Sequence, residues 1–373
     1  TLDGRPVASW QIPSASPDRQ TFVVRDLASA TKVVITVTAV DGAGNASASV
    51  KAEGTTSGAL TVPTMPETPL PAVPAEVVGD EAMTVWAFPA ITKTSPLRGH
   101  VEGETLQPSP RRVNALWDGH RRLVRLSAAR GDIVAFQIGV LAPKGELKGV
   151  TFRVEPFKGA DGVLGVETLK LYRTWYINTG GQWHGEYAIP LTGGLDIPAA
   201  DNKIPGQKCQ TVVADLVIPP TAKPGLYEGI VRVQADGVES VALRVQVNVA
   251  DVTIPAELNF NPELNCYGGP GEAGSPHFFE SHRLAHYHRC TINRVPYSQN
   301  GRVNQDMVPV MQGEGAAMKV VDWSKVDRNV GPLLTGKAFA GNPRDGVPVR
   351  TFYLPLFENW PADIRKHYHP DAP

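Results

Sequence analysis

Residues 229–249, GIVRVQADGVESVALRVQVNV, decide how the middle of the chain folds. Val241, Leu243, Val245, Val247 and Val249 alternate with Ala242, Arg244, Gln246 and Asn248. That period of two is what a strand with one buried face requires, so the aliphatic set is expected to face a core. Gly229–Ala235 is a second run, and Asp236-Gly237 between the two runs is a strong hairpin signal. Upstream, Val150, Phe152 and Val154 alternate in the same way with Thr151, Arg153 and Glu155. Strands that follow one another without helices indicate a β-sandwich, expected to span residues 84–250.

The chain ahead of this domain is also β in character. Val33, Ile35, Val37 and Ala39 alternate with Val34, Thr36, Thr38 and Val40, and the run is broken by Asp41-Gly42-Ala43-Gly44-Asn45. From Leu27 to Asn45 the sequence LASATKVVITVTAVDGAGN resembles the second half of a fibronectin type III domain. It departs from that family where the corner tyrosine is replaced by Val33. Residues 1–56 are therefore expected to be a partial domain of this type, with its first strands preceding Thr1. Residues 57–83 contain SGALTVPTMPETPLPAVPAEVV. Each proline there fixes φ and disfavours helix in the residue before it, so the segment reads as a semi-extended linker.

After Pro255 the pattern changes. LNFNPELNCYGG (258–269) reads as a strand with a glycine-rich exit, and PHFFESHRLAHYHRC (276–290) as a helix. TINRVPYS (291–298) reads as the next strand, followed by a loop to about Lys319. WSKVDRNVGPLL (323–334) reads as a short helix, and VRTFYLPLFENW (349–360) as a third strand. Such alternation points to βαβ units and a parallel sheet over residues 251–373. The whole is a mainly β chain with an α/β C-terminal part.

Charge and composition exclude several functions. Lys+Arg 36 against Asp+Glu 37 leave a net charge of −1 without a basic stripe, which argues against nucleic acid as a partner. No apolar run approaches the roughly 20 residues of a membrane-spanning helix. Cys209, Cys266 and Cys290 lack metal-ligand spacing and are expected to be small buried thiols. His282 and His286 share a helical face at i, i+4, yet no Glu follows His282, so packed or surface histidines are expected there and not zinc. Neither a metal nor a cofactor is expected, and the sequence leaves the oligomeric state open.

Three stretches carry a family resemblance. They are HGEYAIPL with DNKIPGQKCQTVVADLVIPPTAKPGLYEGIVRV (within 184–233), VTIPAELNFNPELNCYGGP with LAHYHRCTINRVPY (within 252–297), and VDWSKVDRNVGPLLTGKAFAGNPRDGVPVRTFYLPLFENWP (321–361). On these residues the chain resembles glycoside hydrolase family 123 and the group around it known as domain of unknown function 4091. The resemblance implies a β-sandwich followed by a (β/α) barrel in an extracellular, carbohydrate-active protein. It also implies removal of terminal β-linked N-acetylhexosamine by substrate-assisted catalysis, in which an aspartate orients the substrate's acetamido group and an adjacent glutamate protonates the leaving oxygen. The only Asp-Glu pair in that order, Asp80-Glu81, falls in the linker. A complete barrel takes about 250 residues. The barrel here is therefore expected to be incomplete, with the catalytic pair beyond Pro373 and this segment inactive alone.

Barrel enzymes place their sites at the C-terminal ends of the strands. On the first strand Glu263, Asn265 and Tyr267 are expected to face the barrel interior as sugar-binding residues, with Leu264 and Cys266 packed outward on helices. Tyr297 ends the second strand, and Glu358, Asn359 and Trp360 end the third. Carboxylate, amide and indole side by side suit sugar hydroxyls and an apolar sugar face. The alternative is a non-enzymatic cell-surface protein, structural or glycan-binding.

Overall fold

A computed structural model describes residues 27–39, 43–58, 82–99, 111–258, 260–264, 271–292, 306–313, 317 and 319–351. The chain divides into two compact units, Thr1–Thr64 and Met65–Pro373.

In the first unit, β1 (Lys32–Val37) pairs antiparallel with β2 (Val50–Thr55), with Val33 opposite Gly54. Of the expected alternating set, Val33 is buried and Val37 is exposed. Val40 lies outside the described residues.

Among the described residues the second unit opens with thirteen strands. In chain order they are β3 (Thr84–Pro89), β4 (Trp117–Asp118), β5 (Leu123–Arg130), β6 (Ile133–Leu141), β7 (Leu147–Val154), β8 (Phe157–Gly159) and β9 (Val163–Leu164). Then come β10 (Leu169–Thr179), β11 (Gln182–Pro190), β12 (Leu195–Ile197), β13 (Cys209–Val217), β14 (Gly225–Ala235) and β15 (Val238–Thr253). They form an antiparallel sheet ordered β11-β10-β13-β6-β3 and a second sheet ordered β12-β7-β14-β15-β5-β4, with β8 paired to β14 and β9 to β8. Within the second sheet β15 and β5 run parallel, so that sheet is mixed.

The hairpin read from Asp236-Gly237 is present. Ala235 pairs with Val238, and Val241, Leu243, Val245, Val247 and Val249 are all buried. They meet Phe136, Ile138, Val140, Val212, Ala214 and Leu216 of the other sheet in one continuous core. Burying each such side chain contributes about 1.5–3 kcal/mol. Side chains on a strand alternate faces, so Trp86, Gln137, Gly139, Cys209 and Thr211 lie on the far side of the five-stranded sheet. That side is covered as well. Residues 90–99 strap across it, with the amides of Lys208 and Cys209 both donating to the Pro96 carbonyl. Beneath the strap a Cβ on Gly139 would lie 2.5 Å from the Trp86 indole, so only glycine leaves room for that ring.

Beyond the sandwich come β16 (Glu263–Leu264), α1 (Pro276–Tyr287), β17 (Thr291–Ile292), β18 (Val310–Gln312), β19 (Lys319–Asp322), α2 (Ser324–Asn329) and α3 (Gly331–Leu334). β16 and β17 pair in parallel, Glu263 with Thr291 and Leu264 with Ile292, across the helix α1. This is the expected β-α-β unit. Two expectations need correction. The stretch expected as loop up to Lys319 contains an antiparallel ribbon, β18 with β19. Residues 349–351, expected to open a third strand, are not in a strand; the rest of that run lies outside the described residues. No described helix is long and apolar enough to cross a membrane.

The sandwich and α1 meet at the end of the helix. Arg289, at φ 59°, donates to the Pro255 carbonyl at 2.8 Å and to the Gly131 carbonyl at 2.9 Å. His288 lies 3.9 Å from the Asp215 carboxylate on β13, whose burial raises its pKa.

Candidate functional site

The helix α1 organises the C-terminal region, and its limits follow from its sequence. Ser275 caps it, its hydroxyl accepting the Phe278 amide at 3.2 Å, and Pro276 opens the first turn, where a missing N–H costs nothing. Phe278, His282, Ala285 and His286 recur at i, i+4, i+7 and i+8 and form its buried face.

Of the expected sugar-binding residues only Glu263 lies among the described residues. Glu263 is exposed on β16. Asn265, Tyr267, Tyr297, Glu358, Asn359 and Trp360 lie outside the described residues, as does Cys266. Leu264, expected to pack against helices, is 48% exposed.

What the described residues do assemble is a cavity of about 160 Å³ at the opposite end of the strand pair, where β16 and β17 begin. Asn261 bridges its wall, donating to the Thr351 hydroxyl at 2.6 Å and accepting from Thr291 at 2.8 Å. Arg350 and Glu257 pair at its rim. Deeper, the buried Arg344 guanidinium donates to the carbonyls of Ala256 at 3.2 Å and His286 at 3.0 Å, the latter on the last turn of α1. A cation on the carbonyl end of a helix is held by the helix dipole. Burial, with Arg289 nearby, lowers the Arg344 pKa to about 10, so it stays charged at neutral pH.

His282 and His286 are packed, and His288 is half-exposed. His286 stacks on Phe339, its Nε2 lies 3.0 Å from the Val347 carbonyl, and its Nδ1 lies 3.2 Å from the Asn342 amide nitrogen. A carbonyl can only accept and an amide NH₂ can only donate. His286 is therefore the Nε2–H tautomer, with both ring nitrogens occupied and no lone pair left for a metal. His282 contacts Phe278 edge-to-face at 4.5 Å, and its Nε2 has no hydrogen-bond partner. Burial lowers both histidines to about 4, so both are neutral at physiological pH. No cluster of three His, Cys, Asp or Glu suited to a metal occurs among the described residues.

Cys209 is buried, and burial pushes its thiol up to about 12, which makes it inert. Cys290 is half-buried rather than buried, its thiol donating to the His288 carbonyl at 3.3 Å. Arg344, Arg289 and Asn342 escaped the reading of the sequence, because charged and amide residues in loops carry no periodic signal. Each bonds backbone carbonyls of other segments, which makes them structural supports.

No family model matches the chain, and no curated protein matches it. Among solved structures it is similar to a family 123 glycoside hydrolase from Clostridium perfringens, with 19% identity over 45% of this chain and a TM-score of 0.36. The chain spans 32% of that hydrolase, about a third of its length. A sialic acid binding region of a Streptococcus sanguinis adhesin aligns at 17% identity over 34% of this chain and 27% of its own, with a TM-score of 0.19. A putative membrane anchored protein from Corynebacterium diphtheriae aligns at 14% identity over 65% of this chain and 49% of its own, with a TM-score of 0.23.

Proposed function

We propose that this chain is part of an extracellular glycoside hydrolase-like protein that recognises terminal β-linked N-acetylhexosamine. The observation that carries the reading is the parallel pairing of β16 with β17 across α1, directly after the sandwich. That order is the one the family resemblance of residues 184–361 implies. In this reading residues 84–250 are the sandwich domain, joined by the 57–83 linker to a fibronectin type III-like segment, and residues 251–373 begin a (β/α) barrel. Glu263, Asn265, Tyr267 and Tyr297, with Glu358, Asn359 and Trp360, line the barrel mouth and contact the sugar. Substrate-assisted hydrolysis needs an Asp-Glu pair at that mouth. The single such pair in these 373 residues, Asp80-Glu81, is in the linker. The second reading is a non-enzymatic cell-surface protein, structural or glycan-binding, which apolar residues in place of that pair on a later strand would favour.

The test is to incubate the chain with a nitrophenyl N-acetyl-β-galactosaminide and, in parallel, to follow N-acetylgalactosamine binding by saturation-transfer NMR. Binding without nitrophenol release is expected, and Glu263→Ala should weaken the binding. Failure of every N-acetylhexosamine to bind would overturn the glycan reading. Release of nitrophenol would overturn the assignment of this segment as inactive.

A further inference from the structure

We propose that the sandwich carries its own saccharide subsite, in a groove of about 360 Å³ between the strap after β3 and the β10–β11 hairpin. The groove shares no residue with the barrel mouth proposed above.

The groove is held open by its own hydrogen bonds. The buried Gln137 amide donates to the carbonyls of Ala90 at 2.7 Å and Thr92 at 2.8 Å, which pins the strap to β6. Lys93 crosses to the other wall, donating to the Gly185 carbonyl at 2.6 Å and lying 3.5 Å from the Glu186 carboxylate. A Cβ at Gly185 would meet the Thr174 methyl at 2.7 Å, so glycine permits this close approach of the hairpin to the floor. The floor is a buried hydroxyl ladder, with Thr211 donating to Thr174 at 2.8 Å and meeting Tyr176 at 3.0 Å. Walls fixed before a ligand arrives reduce the ordering cost of binding.

The hairpin wall is irregular in a way that serves a ligand. Trp175 pairs with Tyr187 while Tyr176 pairs with Gly185, so Glu186 is the unpaired residue of a β-bulge. Bulges re-aim side chains and recur beside binding sites. Here the bulge leaves a carboxylate next to an aromatic ring that is 61% exposed, with Ile91 92% exposed on the facing wall.

These features select the occupant. One ammonium and one carboxylate balance, so a charged ligand gains no net attraction. An apolar ligand would strip the half-exposed Lys93 and Glu186 of water without replacing it. An exposed tyrosine beside a carboxylate and an ammonium suits a neutral ring with an apolar face and a polar rim. A neutral pyranose has both.

The test uses the whole chain, with galactose, N-acetylgalactosamine and N-acetylglucosamine added singly at millimolar concentration. Binding is followed by saturation-transfer NMR and by the amide shifts of Glu186 and Tyr187. At least one sugar should move both amides, and Tyr187→Ala and Glu186→Gln, both exposed and on an edge strand, should each weaken that sugar about tenfold. Circular dichroism spectra that match the parent chain keep loss of fold out of the reading. If no sugar moves the two amides, or if the variants bind as the parent does, the subsite is overturned. Binding lost in Glu263→Ala and retained in Tyr187→Ala would overturn the groove while leaving the barrel-mouth reading intact. The reverse pattern would establish the groove alone.

Discussion

His286 lies flat on Phe339, with ring centroids 3.9 Å apart and planes within 4°. The stack belongs to a satellite core in which Phe278 of α1 packs with Leu333 of α3 and with Phe339 after it. A charged imidazolium there would lose its water and face Arg344, Arg283 and Arg289. The neutral ring is therefore the folded form.

The first prediction concerns pH. Burial lowers His282 and His286 from 6.5 to about 4 in the fold. As pH falls through 6.5 the unfolded chain takes up protons that the fold refuses, so stability is lost between about pH 6.5 and 4 and is fully present above that window. Each histidine contributes at most about 3 kcal/mol to this loss. Urea midpoints from pH 7 to pH 4.5 should fall in the parent chain, and the slope should be shallower in His282→Leu. An unchanged slope would mean that His282 is not buried neutral.

Gly139→Ala is the second. The added methyl would sit 2.5 Å from the Trp86 ring, which is walled in by the strap and by the Arg111 guanidinium 5.6 Å above it. Overpacking of this kind costs about 1–3 kcal/mol. A lower thermal midpoint and an altered tryptophan near-ultraviolet spectrum should accompany the change. Adding Trp86→Leu should recover part of the loss.

The two parts of the fold differed in legibility for a physical reason. The β14–β15 hairpin was readable because five aliphatic positions at a period of two and an Asp-Gly turn state the same structure twice. The helix α1 was readable as the run PHFFESHRLAHYHRC between two strands, while its Ser275 cap was not. The strap, the β18–β19 ribbon and the Lys93–Gly185 contact were not. The strap and the Lys93–Gly185 contact depend on side chains meeting backbone far away in sequence, as Gln137 meets Ala90 and Thr92, and the ribbon's strands are only three and four residues long. The expected site residues are clustered in short motifs at strand ends, where sequence names the residue types but not their meeting point. Of them only Glu263 falls among the described residues.

The third prediction tests how the sandwich holds the first β-α-β unit. Arg289 joins Gly131, at the turn between β5 and β6, to the loop after β15 and to the end of α1. Arg289→Ala removes two charge-assisted bonds to carbonyls and should cost about 1–3 kcal/mol. Hydrogen exchange should locate the effect, with the α1 amides losing protection while β13 and β15 keep theirs. Uniform loss across the sandwich would overturn this local role.

The fourth concerns the bulge on which the groove depends. At Tyr176 the ladder to β13 has already ended at Arg173, and the register to β11 shifts. Asn202 fills the gap. Its Oδ1 accepts the Tyr176 amide at 2.9 Å and its Nδ2 donates to the Tyr176 carbonyl at 2.8 Å, so one side chain stands in for a strand. Asn202→Ala would leave both buried backbone groups unpaired, at a cost of about 1–3 kcal/mol for each that water cannot reach. Asn202→Asp keeps the acceptor and loses the donor, so it should fall between the parent and the alanine variant in urea midpoint. Equal midpoints for the two variants would mean that the donor half of the bond carries no stability. If both matched the parent, the bulge would be held by β11 alone.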